Sequence, residues 1–247
     1  PTLSCTRKFS LDKYEKQKIQ TIKSIRYTRD TMNINYKDTP FPYFYGSLDK
    51  EMYQYAHKLW STDEESKSYN LSKNRSNIDI TDKKLINYLT KVGAEVKALS
   101  DNFGIFQKYY PKLKKKIHCN DLNFTYSENP ITDKGYPLRD WHLDLGNKIV
   151  TGLWYFKHPK EQDDGGNLIL GNPHTGEEET FHYGANKIIL FPNTPDSWHK
   201  ITARKPTKYP RRFICLEIKT TKVRLHSYQA VKGKDTMKTF DVRNYYV

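Results

Sequence analysis

The sequence is poor in cysteine, and this scarcity excludes one class of fold. It has 3 cysteines among 247 residues, an odd number, and no two of them form a Cys-x-x-Cys pair. A disulfide framework is therefore not expected, and free thiols fit a reducing compartment. The sequence also lacks any apolar run near the length of about 18 residues that a transmembrane helix needs, and no apolar segment follows the N-terminal charges. We therefore expect a cytoplasmic protein with no signal peptide and no membrane contact.

Acidic residues are scarce relative to basic ones. Asp and Glu number 28 against 42 Lys and Arg, which gives a net charge of +14, and residues 200–247 hold 13 basic against 3 acidic side chains. Such a balance is compatible with a nucleic-acid partner. Because most of the excess basic residues are scattered and are Lys, we favour a solvated charged surface over a nucleic-acid binding site. Aromatic residues make up 14% of the chain, enough for a packed core despite a mean hydropathy of −0.87.

The N-terminal part has the apolar spacing of amphipathic helices. Residues 9–29, Leu48–Trp60 and Asp82–Phe103 each place apolar side chains at intervals of three and four, with Ser47 as a candidate N-cap for the second helix. Residues 30–46, with two prolines and a glycine, interrupt this pattern. The sequence therefore predicts three helices before residue 118.

From about residue 120 the pattern changes to short β-rich runs bounded by Gly, Pro, Asn and Asp. The predicted strands are Leu122–Tyr126, Lys148–Phe156, Asn167–Leu170, Thr180–Tyr183, Lys187–Phe191 and Arg212–Lys219. Short strands after helices, without alternating βαβ units, predict a mainly β fold: a double-stranded β-helix, or cupin-like jelly roll, buttressed by helices on one sheet. We expect a single domain with a mainly helical part at 1–118, a jelly-roll core at 119–220 and a C-terminal extension at 221–247.

The tripeptide His142-Leu143-Asp144 is the first candidate for a metal site. If it is extended, the two-residue repeat of a strand places the imidazole and the carboxylate on one face. With a second imidazole from elsewhere, they would form the 2-His-1-carboxylate facial triad, which suits non-haem Fe(II) and leaves coordination positions open. The chain has 8 His, so one His-x-Asp match is weak evidence by itself.

The residues around this tripeptide strengthen the interpretation by their order. In sequence they are Tyr126, His142-x-Asp144, Tyr155, Gly165-Gly166-x-Leu168, His199 and Arg211. This order resembles that of the Fe(II)/2-oxoglutarate-dependent dioxygenases, and within them the prolyl-hydroxylase-like branch. The resemblance covers roughly residues 120 to 220, and the jelly roll of that family agrees with the strand pattern.

The resemblance implies a role for each of these residues. It makes His142, Asp144 and His199 the Fe(II) ligands and the catalytic centre. It implies that Arg211 pairs with the distal carboxylate of 2-oxoglutarate, since a guanidinium offers a fork of donors that matches a carboxylate. Tyr155 would donate to the same carboxylate and Tyr126 would line the cosubstrate pocket. Arg212 offers a competing register for Arg211.

The implied activity is hydroxylation of an unactivated C–H bond, with succinate and CO2 as coproducts. The cofactors are then Fe(II), 2-oxoglutarate and O2, with ascorbate as a candidate reductant. The favoured substrate is an amino-acid side chain, free or within a peptide or protein. The alternatives are oxidation or demethylation of a nucleic-acid base, which the positive charge motivates, and a metal-binding cupin that is not an oxygenase. Desaturation and ring closure remain open as outcomes.

Overall fold

The computed structural model describes residues 24–29, 32–60, 68–70, 75–110, 121–129, 141–162, 164–172, 175–220, 227–231 and 234–238. These residues form three helices: α1 Lys50–Trp60, α2 Lys83–Asn102 and α3 Ile105–Tyr109. They also form fourteen strands: β1 Ser24–Arg29, β2 Met32–Lys37, β3 Tyr43–Leu48, β4 Ser68–Asn70, β5 Arg75–Asp79, β6 Asp121–Asn129, β7 Lys148–Tyr155, β8 Leu168–Asn172, β9 Glu177–Phe181, β10 Lys187–Pro192, β11 Trp198–Ile201, β12 Arg211–Lys219, β13 Ser227–Val231 and β14 Lys234–Lys238.

Most of the strands belong to one antiparallel sheet. Its nine strands follow the order β1-β2-β3-β10-β7-β12-β6-β5-β4. A second sheet has the order β11-β8-β9, and β13 pairs with β14 in a separate hairpin. Two facing antiparallel sheets with helices on the outside of the larger one confirm the predicted jelly roll.

The central strands separate two hydrophobic layers because successive side chains of a strand point to opposite faces. On β10, Ile188 and Leu190 pack in the layer shared with α1 and α2, whereas Ile189 and Phe191 pack in the layer shared with β8. The first layer lies between the large sheet and the helices. The second lies between the two sheets, and it is the layer that reaches the candidate site.

The two long helices form where the apolar spacing predicts them. Asp82 is the N-cap of α2, and its Oδ1 accepts a hydrogen bond of 2.8 Å from the backbone N–H of Leu85. At the start of α1 the residue that caps is Asp49, whose Oδ1 accepts from the N–H of Met52 at 2.8 Å, so the prediction of Ser47 is wrong. Asp and Ser both cap helices well, but β3 continues to Leu48 and includes Ser47, so the cap lies two residues later than predicted.

The N-terminal part contributes strands as well as helices. The helix predicted for 9–29 is wrong over Ser24–Arg29, which pairs with Met32–Lys37 in an antiparallel hairpin; residues 9–23 lie outside the described residues. In β2 the buried residues Met32 and Ile34 alternate with polar ones, which is the two-residue period of a strand. The prolines and polar residues of 30–46 hide this period in the sequence. Each of the six predicted strands overlaps an observed one. No helix among the described residues is long and apolar enough to cross a membrane.

Candidate active site

Three potential metal ligands meet between the two sheets. One ligand atom from each of His142, Asp144 and His199 lies within 4.8 Å of the other two, and all three residues are buried. His199 is on β11, and His142 precedes β7 and pairs with His199 as a bridge, with backbone N–H···O distances of 3.0 and 3.1 Å in the two directions. This bridge brings together two histidines that are far apart in sequence. The predicted cluster of two imidazoles and a carboxylate is therefore present.

The His199 ring is oriented for metal binding. Its Nδ1 lies 3.0 Å from the backbone carbonyl of Ser197, and a carbonyl can only accept, so Nδ1 carries the proton in this hydrogen bond. Nε2 is then the unprotonated nitrogen, and it lies 4.0 Å from Oδ2 of Asp144. A neutral imidazole whose other nitrogen binds a carbonyl is the usual form of a metal ligand. The donor set fits Fe(II), and three ligands leave further coordination positions open.

Two side chains of the large sheet hold the carboxylate of Asp144. Lys148 Nζ lies 3.0 Å from Oδ1, and Thr151 Oγ1 donates to Oδ2 at 2.7 Å. Burial by itself would raise the pKa of Asp144, but the charge of Lys148, the nearby His199 and the hydrogen bond from Thr151 outweigh burial and hold the pKa well below its usual range. Asp144 is therefore an anionic candidate ligand that is already oriented.

Lys148 also contacts a second carboxylate. Its Nζ lies 2.5 Å from Oε1 of Glu217 on β12. Burial disfavours the ammonium, yet the charges of Asp144 and Glu217 raise the pKa of Lys148 above its usual value. Lys148 thus stays positively charged and links the ligand to the sheet.

A pocket opens beside the three metal-binding residues. Its walls include Lys148 and Glu217 next to the cluster, Cys215 and Phe213 further along β12, and Arg75 from β5. The rest of its lining is mainly apolar and comes from both sheets. The pocket is therefore a cleft with a metal-binding cluster on one wall and a cationic side chain on another.

The structure places the predicted cosubstrate residues in different layers. Arg211 faces the layer between the sheets, and its Nη2 donates to the hydroxyl of Tyr155 at 3.1 Å. Arg212 faces the helices, where its Nε pairs with Glu128 at 2.7 Å, so it is not a pocket residue. Of the two competing registers, the structure therefore has Arg211, and not Arg212, on the face of β12 that lies between the sheets. Burial raises the pKa of Tyr155, while the charge of Arg211 opposes the rise.

The prediction that Tyr126 lines the pocket is wrong. Its ring lies 4.7 Å from that of Trp60, in the layer between the large sheet and the helices. The cause is strand parity: Tyr126 shares a face of β6 with Phe124, whereas Asn129, three residues later, is on the face that lines the pocket.

Sequence analysis missed several polar residues that the structure brings to the pocket. Thr151 and Glu217 lie among apolar residues in the middle of β7 and β12, and a polar side chain in such a setting signals a buried contact. Lys148 was treated only as the start of a strand. Arg75 carries no sequence signal, because β5 joins the sheet through pairing with a strand about 50 residues away.

Comparisons with known proteins agree with this architecture. No family model matches the sequence, and no curated protein matches it. A prolyl-4-hydroxylase of Pseudomonas putida superposes with a TM-score of 0.52 at 12% identity, over 83% of this chain and 96% of that one. The chain has the fold of a prolyl-hydroxylase-like oxygenase. A Shewanella oneidensis protein assigned as an oxygenase gives a TM-score of 0.51 at 12% identity, over 74% of this chain and 83% of that one.

In this prolyl-hydroxylase-like fold the candidate metal centre and the pocket both lie between the two sheets. The fold alone does not decide the chemistry, because one scaffold hosts many functions. The site residues carry that argument: an anionic carboxylate, two imidazoles within ligand distance of it, and a cleft beside them.

Proposed function

We propose that this protein is an Fe(II)- and 2-oxoglutarate-dependent oxygenase that hydroxylates an unactivated C–H bond. The observation that carries the proposal is the buried cluster of His142, Asp144 and His199, whose ligand atoms lie within 4.8 Å of one another. Bound Fe(II) would supply the activation of O2, with 2-oxoglutarate, O2 and R–H converted to succinate, CO2 and R–OH.

The residues of the chain supply orientation and exclusion of water. Ser197 fixes the tautomer of His199, and Thr151 and Lys148 fix the carboxylate of Asp144. Apolar side chains from both sheets, among them Leu153, Leu168, Phe191 and Ile201, form much of the pocket wall and keep the site poor in water. Such preorganisation holds the reacting groups in place without further rearrangement.

The cosubstrate requires a cation for its distal carboxylate. Arg211, with Tyr155 hydrogen-bonded to it, is the residue that the sequence resemblance implies. Arg75 is a second arginine, and it forms part of the pocket wall. Either guanidinium can bind a carboxylate through two parallel hydrogen bonds.

For the primary substrate we propose an amino-acid side chain, free or within a peptide or protein. The support is the order of the sequence motifs and the fold shared with a prolyl-4-hydroxylase. Oxidation of a nucleic-acid base is the second candidate, and its support is the net charge of +14.

The test is a turnover assay with Fe(II), 2-oxoglutarate, O2 and ascorbate. Succinate and hydroxylated product are measured with free amino acids, proline-containing peptides, nucleosides and oligonucleotides as candidate substrates. We expect succinate formation that depends on Fe(II), is abolished by His142→Ala and is retained by the matched control His182→Ala, whose side chain is exposed. Binding of Fe(II) with no consumption of 2-oxoglutarate under any of these conditions would identify a metal-binding cupin instead.

A further inference from the structure

The double-glycine turn before β8 is in contact with two buried arginines. An added Cβ at Gly166 would lie 2.9 Å from Cδ of Arg211 and 3.3 Å from Nη1 of Arg204. Gly166 also has a φ of 77°, which a residue with a side chain rarely adopts. Both arginines therefore pack against the turn at a distance that only glycine allows.

Arg211 is held to the turn by one nitrogen of its guanidinium. Its Nε donates to the carbonyl of Gly166 at 2.8 Å, which restrains the rotation of the guanidinium plane. Nη1 donates to Oδ1 of Asn129 at 3.2 Å and Nη2 to the hydroxyl of Tyr155 at 3.1 Å, and each of these two nitrogens carries a second N–H. Because the Tyr155 hydroxyl accepts from Arg211, it keeps its own proton to donate to a ligand. The direction of the Arg211 fork therefore depends on where the Gly166 carbonyl lies.

Arg204 is held to the other glycine of the turn. Its Nη1 donates to the carbonyl of Gly165 at 3.4 Å, and the backbones of Gly165 and Arg204 pair as an isolated bridge. Next to this bridge, the backbone N–H of Lys205 donates to the carbonyl of Asp164 at 2.7 Å. The segment around Arg204 therefore fixes the position of the turn.

A buried ion pair sets the position of the Arg204 side chain. Its Nη2 lies 2.6 Å from Oε1 of Glu161, and the two side chains have only 2% and 0% of their surface exposed. The same Nη2 donates to the backbone carbonyl of Tyr209 at 2.8 Å. Replacing such a pair by apolar residues often leaves stability unchanged, because two buried charges are costly to desolvate. Stability alone therefore does not account for this pair.

The ring of Tyr183 is a second connection between the two arginines. The guanidinium carbons of Arg204 and Arg211 each lie 5.5 Å from its centroid. The same ring packs edge-on against the ring of Tyr155, with 5.3 Å between the centroids. A displacement of Arg204 would therefore disturb both the turn and the ring against which Arg211 packs.

We propose that the buried pair of Arg204 and Glu161 positions Arg211 to bind the distal carboxylate of 2-oxoglutarate. Both are positioning residues, which act through the double-glycine turn and the ring of Tyr183. The inference rests on the proposed function, with Arg211 as the partner of the distal carboxylate that the sequence resemblance implies. It adds two residues that the sequence motifs do not include.

The test compares the binding of two 2-oxo acids to the anaerobic Fe(II)-loaded protein by calorimetry. One is 2-oxoglutarate and the other is 2-oxopentanoate, which has the same carbon chain with a methyl group in place of the distal carboxylate. The preference for 2-oxoglutarate, expressed as the ratio of the two dissociation constants, measures the distal contact. A general loss of affinity that both acids share does not change this ratio.

The variant Arg204→Gln/Glu161→Gln removes both charges, so that neither is left buried without a partner. We expect it to reduce the preference about tenfold, because a misdirected guanidinium loses one of its charge-assisted hydrogen bonds to the carboxylate. Arg204→Lys keeps the ion pair and loses the planar fork, so its preference should lie between those of the wild type and the double variant. The matched control is Arg212→Gln/Glu128→Gln, which removes a pair at 2.7 Å on the helix-facing side of β12 and should keep the wild-type preference.

Gly166→Ala tests the turn without changing a charge. The added Cβ would press on Cδ of Arg211, so we expect the preference to fall in this variant as well. Gly176→Ala is its control, because Gly176 also has a positive φ, of 71°, but no atom of the described residues lies within 4 Å of an added Cβ there. Gly176→Ala should keep the preference.

An unchanged preference in Arg204→Gln/Glu161→Gln, even with a lower melting temperature, would show that the pair only stabilises the fold. If that variant does not fold, unchanged preferences in Arg204→Lys and Gly166→Ala would contradict the inference in the same way. Loss of the preference in Arg75→Met together with its retention in Arg211→Met would assign the distal contact to Arg75, and the inference would fail while the proposed function stands. A wild-type protein that binds Fe(II) but neither 2-oxo acid would contradict the proposed function itself, and the inference with it.

Discussion

Thr151 donates a hydrogen bond of 2.7 Å from its Oγ1 to Oδ2 of Asp144, seven residues earlier in the chain. Lys148 contacts the other carboxylate oxygen at 3.0 Å. The carboxylate is thus held at both oxygens by side chains of β7, a central strand of the large sheet. The geometry of the candidate metal site is therefore built into the centre of the large sheet.

Replacing Thr151 by Val should weaken Fe(II) binding without unfolding the protein. Val keeps the shape of the side chain and removes the donor to Asp144, and loss of such an outer contact typically lowers metal affinity about 10- to 100-fold. The measurement is anaerobic Fe(II) titration against a competing chelator. Thr180→Val, at an exposed position of β9, is the matched control. Equal affinities for the two variants would show that Thr151 does not position the ligand.

The acid sensitivity of the metal-free protein should depend on Asp144. Its folded-state pKa is depressed below the ordinary 3.8, so its contribution to stability is fully present above the unfolded pKa and is lost as the pH falls below about 4. We expect the free energy of unfolding to fall less steeply between about pH 5 and pH 3 in Asp144→Asn than in the wild type. Parallel slopes from chemical denaturation at several pH values would contradict the depressed pKa.

Gly171 should be intolerant of a side chain because Trp141 packs directly against it. A Cβ at Gly171 would overlap the indole ring, and Trp141 immediately precedes the ligand His142. Gly171→Ala should therefore destabilise the protein by about 1–3 kcal/mol and weaken Fe(II) binding by displacing His142. The measurements are denaturant unfolding and metal titration.

Gly184→Ala is the control for this substitution. At Gly184 the atoms nearest to an added Cβ belong to the flexible side chain of Lys187, which can move aside. A wild-type metal affinity in Gly171→Ala would show that the contact with Trp141 does not position His142.

The thiol of Cys215 should react slowly at neutral pH. Burial raises its pKa from 9.0 to about 11. In a Cys5→Ser/Cys119→Ser background, the rate of alkylation of the native protein should rise about tenfold per pH unit up to about pH 9.5 without a plateau. The same protein in denaturant should approach its plateau near pH 9. If the alkylation rate of the native protein also reached a plateau near pH 9, the raised pKa would be contradicted.

The candidate metal cluster could be predicted from the sequence. His142 and Asp144 are only two residues apart, and the order of the motifs that follow them indicated His199. The choice between Arg211 and Arg212 could not be made from the sequence, and the structure makes it: Ile214, Leu216 and Ile218 share the face of Arg212 and pack towards the helices.

The rest of the pocket depends on pairing between distant strands. Arg75 reaches the site because β5 pairs with β6, and Tyr126 is excluded from it because of the register of β6 against β12. The hairpin of β1 and β2 was missed for a different reason: its strands are adjacent in sequence, but the apolar spacing of residues 9–29 favoured a helix. Periodicity in the sequence does not encode register between distant segments.

The measurement that tests the central claim most directly is an anaerobic titration of the Fe(II)-loaded protein with 2-oxoglutarate, followed by visible absorption. Chelation of the metal by the 2-oxo acid should produce a charge-transfer band that saturates in the wild type and is absent in His142→Ala. Fe(II) binding without such a band would contradict the assignment as a 2-oxoglutarate-dependent oxygenase and leave a metal-binding jelly roll of another kind.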